Sequence, residues 1–359
     1  MTDTPAQSGF TMPAEWERHE GTWLQWPHDD TRRGDQMRLE HVWLTMTEAL
    51  HQHETVHIVV PDDVRRDHVH QQVRYYGFDE GAIDIRVFPT DDVWARDSGP
   101  IFLVNDDGEL AATDWNFNGW GERYPHDRDT KVPAGIAAMV AVPLFTAPIS
   151  LEGGGVEVNG AGTVLATRSS IENPNRNPGW TLEAIEGVLR GYLGVEHFIW
   201  LSGRRGMGDT DFHIDGAARF VDEATVLYSW TDDASHPRYP CFKQHRDELR
   251  RAVTQSGELL TLEPVPVTEA RIYATRQGAA RPPFKAVPSL GLYANFYAAN
   301  NVVLVPAYGD VNDAEAMSII AEHFPDREII AILAHVLAEL GGMVHCVTQQ
   351  QPAAMERNG

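Results

Sequence analysis

One residue near the end of the chain, Cys346, can do covalent chemistry. The run Gly341-Gly342-Met343-Val344-His345-Cys346-Val347 ends in Thr348-Gln349-Gln350-Gln351-Pro352 and holds one of only two cysteines. An alternating apolar run entered through two glycines predicts a short strand, on which neighbours face opposite ways. On that reading His345 and Cys346 do not serve one site, and Cys346 takes its partner base from elsewhere. A nucleophilic cysteine works as its thiolate. A lone cysteine on an apolar strand is equally a small buried hydrophobe.

Four further places offer polar groups at strand ends. His213-Ile214-Asp215-Gly216 sets an imidazole and a carboxylate two residues apart, on one face if extended, as a poised acid–base pair. Gly208-Asp209-Thr210-Asp211-Phe212 adds two carboxylates just upstream. Trp94-Ala95-Arg96-Asp97-Ser98-Gly99-Pro100 places an acid between an arginine and a Gly-Pro turn, with Trp94 as a candidate wall. Glu152 precedes Gly153-Gly154-Gly155, where missing side chains allow close backbone approach. No Lys-Ser/Thr follows, which argues against a phosphate loop. No second His or Cys cluster lies at metal-ligand spacing, so a metal site is the weaker reading of these residues.

A thiolate attacks an electrophilic carbon, and paired carboxylates hold a cation. A guanidinium is both, a planar and permanently charged fork around a carbon. The chain's 52 acidic against 29 basic residues, a net charge of −23, repel nucleic acid and anionic membranes and attract a cationic small molecule. Two distant cysteines give no disulfide framework. No apolar run approaches the roughly 18 residues of a membrane helix, and residues 1–13 lack the features of a signal peptide. A cytoplasmic location is expected.

The elements that must position these groups recur. Strands are predicted at residues 21–26, 55–60, 83–87, 101–104, 111–114, 151–158, 163–167, 197–201, 213–220, 225–229, 259–265, 292–297, 302–305 and 328–332, and around Cys346. Helices are predicted at 34–53, 62–76, 134–140, 182–193, 243–255 and 313–323. Hairpin turns fall at Asn105–Gly108, Asn159-Gly160 and Asn300-Asn301. The polar strand ends at Asp97, Glu152, His213, Asn295 and Cys346 are separated, by subtraction, by 55, 61, 82 and 51 residues. The third gap holds a proline-rich stretch, residues 278–288, read as an inserted loop. Five units around a common axis would gather one strand end each.

These residues carry a resemblance. Residues 12–20, 91–100, 173–178, 213–216, 230–233, 295–297 and 341–352 resemble the agmatine deiminase family, of the Porphyromonas-type peptidylarginine deiminase group within the guanidino-group-modifying superfamily. The resemblance implies an α/β fold, the pentein five-bladed α/β propeller of pseudo-repeated ββαβ units, as a single catalytic domain over residues 1–359, and it allows a homodimer. It implies that Cys346 attacks the guanidinium carbon, that ammonia leaves, and that water hydrolyses a thiouronium intermediate while His213 shuttles protons. It further implies that Asp97 and Asp215 bind the guanidinium nitrogens, that Glu152 orients His213, that Trp94 lines the pocket and that Asp209 holds the far end of the substrate. For agmatine the product would be N-carbamoylputrescine plus ammonia, formed with no metal or cofactor, a step toward putrescine and polyamines. Phe212, Glu157, Asn159 and Met343 depart from the family's usual residues, so arginine, an arginyl peptide or another alkylguanidine are alternative substrates. An amidinotransferase and a non-catalytic binder of cationic amines are the competing classes. An added amine acceptor tests the first and turnover the second.

Overall fold

The computed structural model describes residues 4–28, 31, 36–270, 272–275 and 286–354. Four blades share one pattern, a hairpin of antiparallel strands, a helix, and a third strand parallel to the hairpin's second strand. The first runs Ile101–Val104, Leu110–Asp114, helix Val132–Met139 and Leu144–Thr146. The second runs Val156–Val158, Thr163–Thr167, helix Leu182–Leu193 and His197–Leu201. The third runs Ala218–Phe220, Thr225–Trp230, helix Tyr239–Leu249 and Thr261–Pro266. The fourth runs Tyr297–Ala299, Val302–Ala307, helix Asp313–His323 and Glu328–Leu333.

The fifth blade is made from both ends of the chain. Gln349–Pro352 pairs antiparallel with His19–Gln25, which runs parallel to Thr55–Val60 after helix Gln36–Leu50. A further helix, Asp63–Tyr76, leads to Ile83–Val87 at the edge. The five-unit reading of the spacing is borne out. Val302–Ala307 is buried at every residue, as expected of a strand covered on both faces. Helix Leu182–Leu193 buries Ile185, Leu189 and Leu193 on one side, a 3.6-residue stripe. The Thr181 hydroxyl accepts from Ala184 N at its start and Gly194, at φ 69°, ends it, a cap at each terminus.

The differences from the sequence reading concentrate where each blade begins. Residues 151–158 and 213–220 are extended only from Val156 and Ala218, the strand expected at 292–297 starts at Tyr297, and Cys346 lies in the 3₁₀ turn His345–Val347. Asp97 lies in the short helix Ala95–Ser98, where a loop or strand end was expected. The physical reason is convergence. A strand sends neighbours to opposite faces, whereas a tight turn can aim consecutive side chains at one place. The helix expected at 243–255 is Tyr239–Leu249, with Pro240 in its first turn, where proline is favoured. Helix His335–Leu340 was not foreseen. Of the stretch 278–288, residues 278–285 lie outside the described residues. Its last part pairs, as Ala286–Ser289, with Ile272–Thr275.

Candidate functional site

Each blade delivers its site residue two to five positions before its first strand. Glu152, His213 and Cys346 are in or next to 3₁₀ turns, with Gly153–Gly155 and Ile214–Gly216 as two of them. Gly154 shows why these turns are glycine-rich. A methyl there would stand 2.7 Å from His213 Nδ1 and 2.9 Å from both Asp215 Oδ2 and Asp97 Oδ1. Three blades thus converge on one backbone carbon.

The Cys346 thiol, partly exposed, lies 3.7 Å from Asp215 Oδ2 and 3.6 Å from Asn295 Oδ1. Cys346, His213, Asp215 and Asn295 line a cavity of about 720 Å³, together with Asp209, Phe212 and Met343. Asp97 and Glu152 are buried behind this wall. Glu152 Oε2 is 3.0 Å from His213 Nε2, and Asp97 Oδ1 is 3.6 Å from His213 Nδ1. Asp97 also accepts from Gly154 N and from Trp120 Nε1, and Glu152 from Arg176 Nε. Trp94 packs beneath Gly342, where a Cβ would be 2.2 Å from its ring, so Gly342 and not the indole faces the cavity. Asp209 accepts from the Tyr124 hydroxyl at 2.7 Å on the cavity wall.

His345 corrects an expectation. Its Nδ1 lies 2.9 Å from Asp215 Oδ2, the oxygen that Cys346 also faces. Both neighbours serve one site because the turn replaces the strand. Behind it sits a buried charge cluster. Glu15 meets His345 Nε2, Arg96 and Arg219, and Arg219 also meets Glu157. Sequence reasoning passed over Glu15, Arg96, Arg176 and Arg219 as site residues. A charged residue inside an apolar strand, as Arg219 is, signals a buried partner.

The electrostatics assign resting states. Burial and the carboxylates of Asp215 and Asp97 push the Cys346 thiol well above its ordinary value. Burial lowers His213, but Asp97, Glu152 and Asp215 outweigh it and raise it to about 9. Burial raises Asp215, and the His345 hydrogen bond and the charges of His345, His213 and Arg219 more than offset this, leaving it below the usual carboxylate range. Glu152 ends below its usual value, as Arg176 and His213 overcome burial. Asp97 ends above, through burial and its acidic neighbours, against the pull of His213. These shifts favour a thiol at Cys346, an imidazolium at His213 and ionised carboxylates at Asp215 and Glu152, an arrangement that stabilises an incoming cation. Among the described residues no group of three or more His, Cys, Asp or Glu side chains is placed to hold a metal.

Fold and site define the class: a pentein, and a hydrolase of C–N bonds in amidines. The chain belongs to the Porphyromonas-type peptidyl-arginine deiminase family, whose model matches residues 11–352. It is 34% identical over 380 residues to the agmatine deiminase of Pseudomonas putida, covering 99% of each. The structure of Enterococcus faecalis agmatine deiminase superimposes with a TM-score of 0.90 at 29% identity, covering 99% of each chain. That of a cysteine-to-serine variant of C. jejuni agmatine deiminase with substrate bound gives 0.81 at 25%, covering 97% of each.

Proposed function

We propose that the protein hydrolyses a guanidine through a covalent Cys346 intermediate, with agmatine plus water giving N-carbamoylputrescine plus ammonia, a reaction that feeds polyamine synthesis. The single observation that carries this reading is the meeting of the Cys346 thiol and His213 with the Asp215 and Asp97 carboxylates around Gly154.

The guanidinium enters the cavity and Asp215 takes one edge of the fork, with Asp97 behind it. A cation bound there offsets the carboxylate field that keeps Cys346 protonated, so the thiol ionises when substrate is present. Sγ bonds to the guanidinium carbon. The His213 imidazolium gives its proton to the departing nitrogen, and ammonia leaves as the C–N bond breaks; the proton lost by the thiol on ionising has passed to solvent, so His213 is left neutral. This yields an S-alkylthiouronium. His213, held by Glu152, then takes a proton from water as the water oxygen bonds to the same carbon. The C–S bond breaks, the thiol is restored and a urea leaves. Asp209 on the wall suits the ammonium tail of agmatine. Arg238, which also lines the cavity, favours a second reading in which a carboxylate-bearing guanidine such as arginine is accepted.

Closure of the ring by both chain ends supports one catalytic domain over residues 1–359, and a free thiol at the site suits a reducing compartment such as the cytoplasm. Incubation with agmatine, arginine and an arginyl peptide, measuring ammonia and the urea product, tests the function. Fastest turnover of agmatine is expected, with none in Cys346→Ser; equal activity in that variant overturns the mechanism.

A further inference from the structure

His345 is a buried titratable residue to which the mechanism above gives no step. Its ring is fully enclosed, and each ring nitrogen faces a carboxylate, Nδ1 to Asp215 Oδ2 at 2.9 Å and Nε2 to Glu15 Oε2 at 2.8 Å. Its backbone is pinned as well. The N–H donates to Asn295 Oδ1 at 3.0 Å, and the carbonyl accepts from Arg96 Nε at 3.4 Å. Glu15 cannot swing away, because it also accepts from Arg219 at 2.8 Å, Arg96 at 3.2 Å and Ala298 N at 2.9 Å.

We propose that His345 is a positioning residue for the guanidine reaction: its Nδ1–H aims and polarises Asp215, and Glu15, braced by two arginines, holds the ring in the orientation that makes this possible. The inference rests on the deiminase reading. Asp215 Oδ2 is shared between His345 and Cys346. A carboxylate that accepts a fixed donor on one side has its remaining lone pairs set for the thiol and the guanidinium on the other. The titratable and charged groups around this pair are His213 and Cys346 on the cavity wall, Asp97 buried beside His213, and Glu15, Glu157, Arg96 and Arg219 behind. Removing His345 would leave Asp215 among acids, with Arg219 more distant and His213 already engaged by Glu152. The lowered range of Asp215, traced partly to His345, agrees with this.

A merely structural role predicts a loss of stability with kinetics unchanged per folded molecule. The two roles separate with isosteric variants of the full chain. Asn at 345 keeps an N–H near the Nδ1 position and so keeps the bond to Asp215. Gln keeps one near Nε2 and so keeps only Glu15. The measurement is kcat/KM for agmatine from about pH 3 to 10, per folded molecule by active-site titration. His345→Gln is expected to lose about 10- to 100-fold, the worth of a hydrogen bond to a charged group. Its acidic limb moves to higher pH, because Asp215 must be ionised and now binds its proton more tightly. His345→Asn is expected to retain most activity and the wild-type limb. Equal behaviour of the two variants, or an unmoved limb in His345→Gln, overturns the proposal. Should neither variant fold, Glu15→Gln carries the test. It keeps an acceptor for Nε2 but loosens the brace, so the limb shifts the same way by less; an unmoved limb there also overturns it. Turnover by Cys346→Ser would instead sink the deiminase reading itself.

Discussion

Cys346 and Asp215 face each other across 3.7 Å although 131 residues separate them in the chain. A thiol beside a carboxylate is held protonated, the opposite of what a standing nucleophile needs. The pairing makes reactivity conditional, since a cation must first occupy the carboxylate. Without substrate, Cys346 should alkylate slowly at neutral pH, and faster when a non-reactive alkylammonium or guanidine analogue is bound. Rates of iodoacetamide labelling measure this.

Gly154 should tolerate no side chain. A Cβ there would press within 3 Å of His213, Asp215 and Asp97, closer than van der Waals contact allows. Gly154→Ala is expected to lose at least about 100-fold in kcat/KM, since misplacement of catalytic groups by about 1 Å costs that much. Steady-state kinetics with a melting curve separate this from unfolding.

The imidazole sets the alkaline limit. His213 is raised to about 9 from an ordinary 6.5. A group whose folded value is raised stabilises the native state below its unfolded value and loses that contribution as pH rises through the folded one. Urea midpoints should therefore fall between about pH 6.5 and 9, and less so in His213→Gln. The same substitution should lower kcat about 10²- to 10⁴-fold, the usual worth of a general acid–base.

Asp97→Asn keeps the size and one of the two bonds, from Gly154 N or from Trp120 Nε1, but sets its amide N–H against the other donor and removes the charge. Loss of one partner of a buried charge pair costs about 2–5 kcal/mol. The expected result is a fall of that size in kcat/KM, carried by KM as well as kcat, in initial-rate measurements.

Arg219 is a matter of stability. It bridges Glu15 and Glu157, all three nearly inaccessible. Arg219→Met leaves the buried Glu157 without its cation and Glu15 with one arginine fewer, and should cost about 3–5 kcal/mol, read by chemical denaturation.

Phe212 sets two effects against each other. It stands at φ 73°, a region costing a side chain about 1–2 kcal/mol. Its ring is buried beside Phe242 and His245, and losing such a ring costs about 3–5 kcal/mol. Loss of the ring outweighs relief of the backbone, so Phe212→Gly should lower the melting temperature.

The blades were legible because apolar periodicity is local. The strands Thr55–Val60, Thr163–Thr167 and His197–Leu201 and the helices Leu182–Leu193 and Asp313–His323 fall where spacing put them. The five polar strand ends were legible as a spacing, and their convergence is what the topology delivers. The turns at Glu152, His213 and Cys346 were not, because a tight turn is set by the contacts it must make across blades. For the same reason His345 was set aside. Alternation says it points away from Cys346, and only Asp215, contributed by another blade, shows why it does not. Glu15 gave no local pattern, and Arg219 gave only a charge inside an apolar strand, since each is explained by partners far along the chain.

The pairing of Gln349–Pro352 with His19–Gln25, with Trp23 opposite Gln349, joins segments more than 300 residues apart in sequence. Loop closure of that length is slow and entropically costly. Cys346, the proposed nucleophile, sits three residues before that seam, so catalytic competence is expected only when the circle shuts. In refolding, recovery of turnover should be the last signal to return, after helicity and tryptophan burial: the enzyme reports on its own completion.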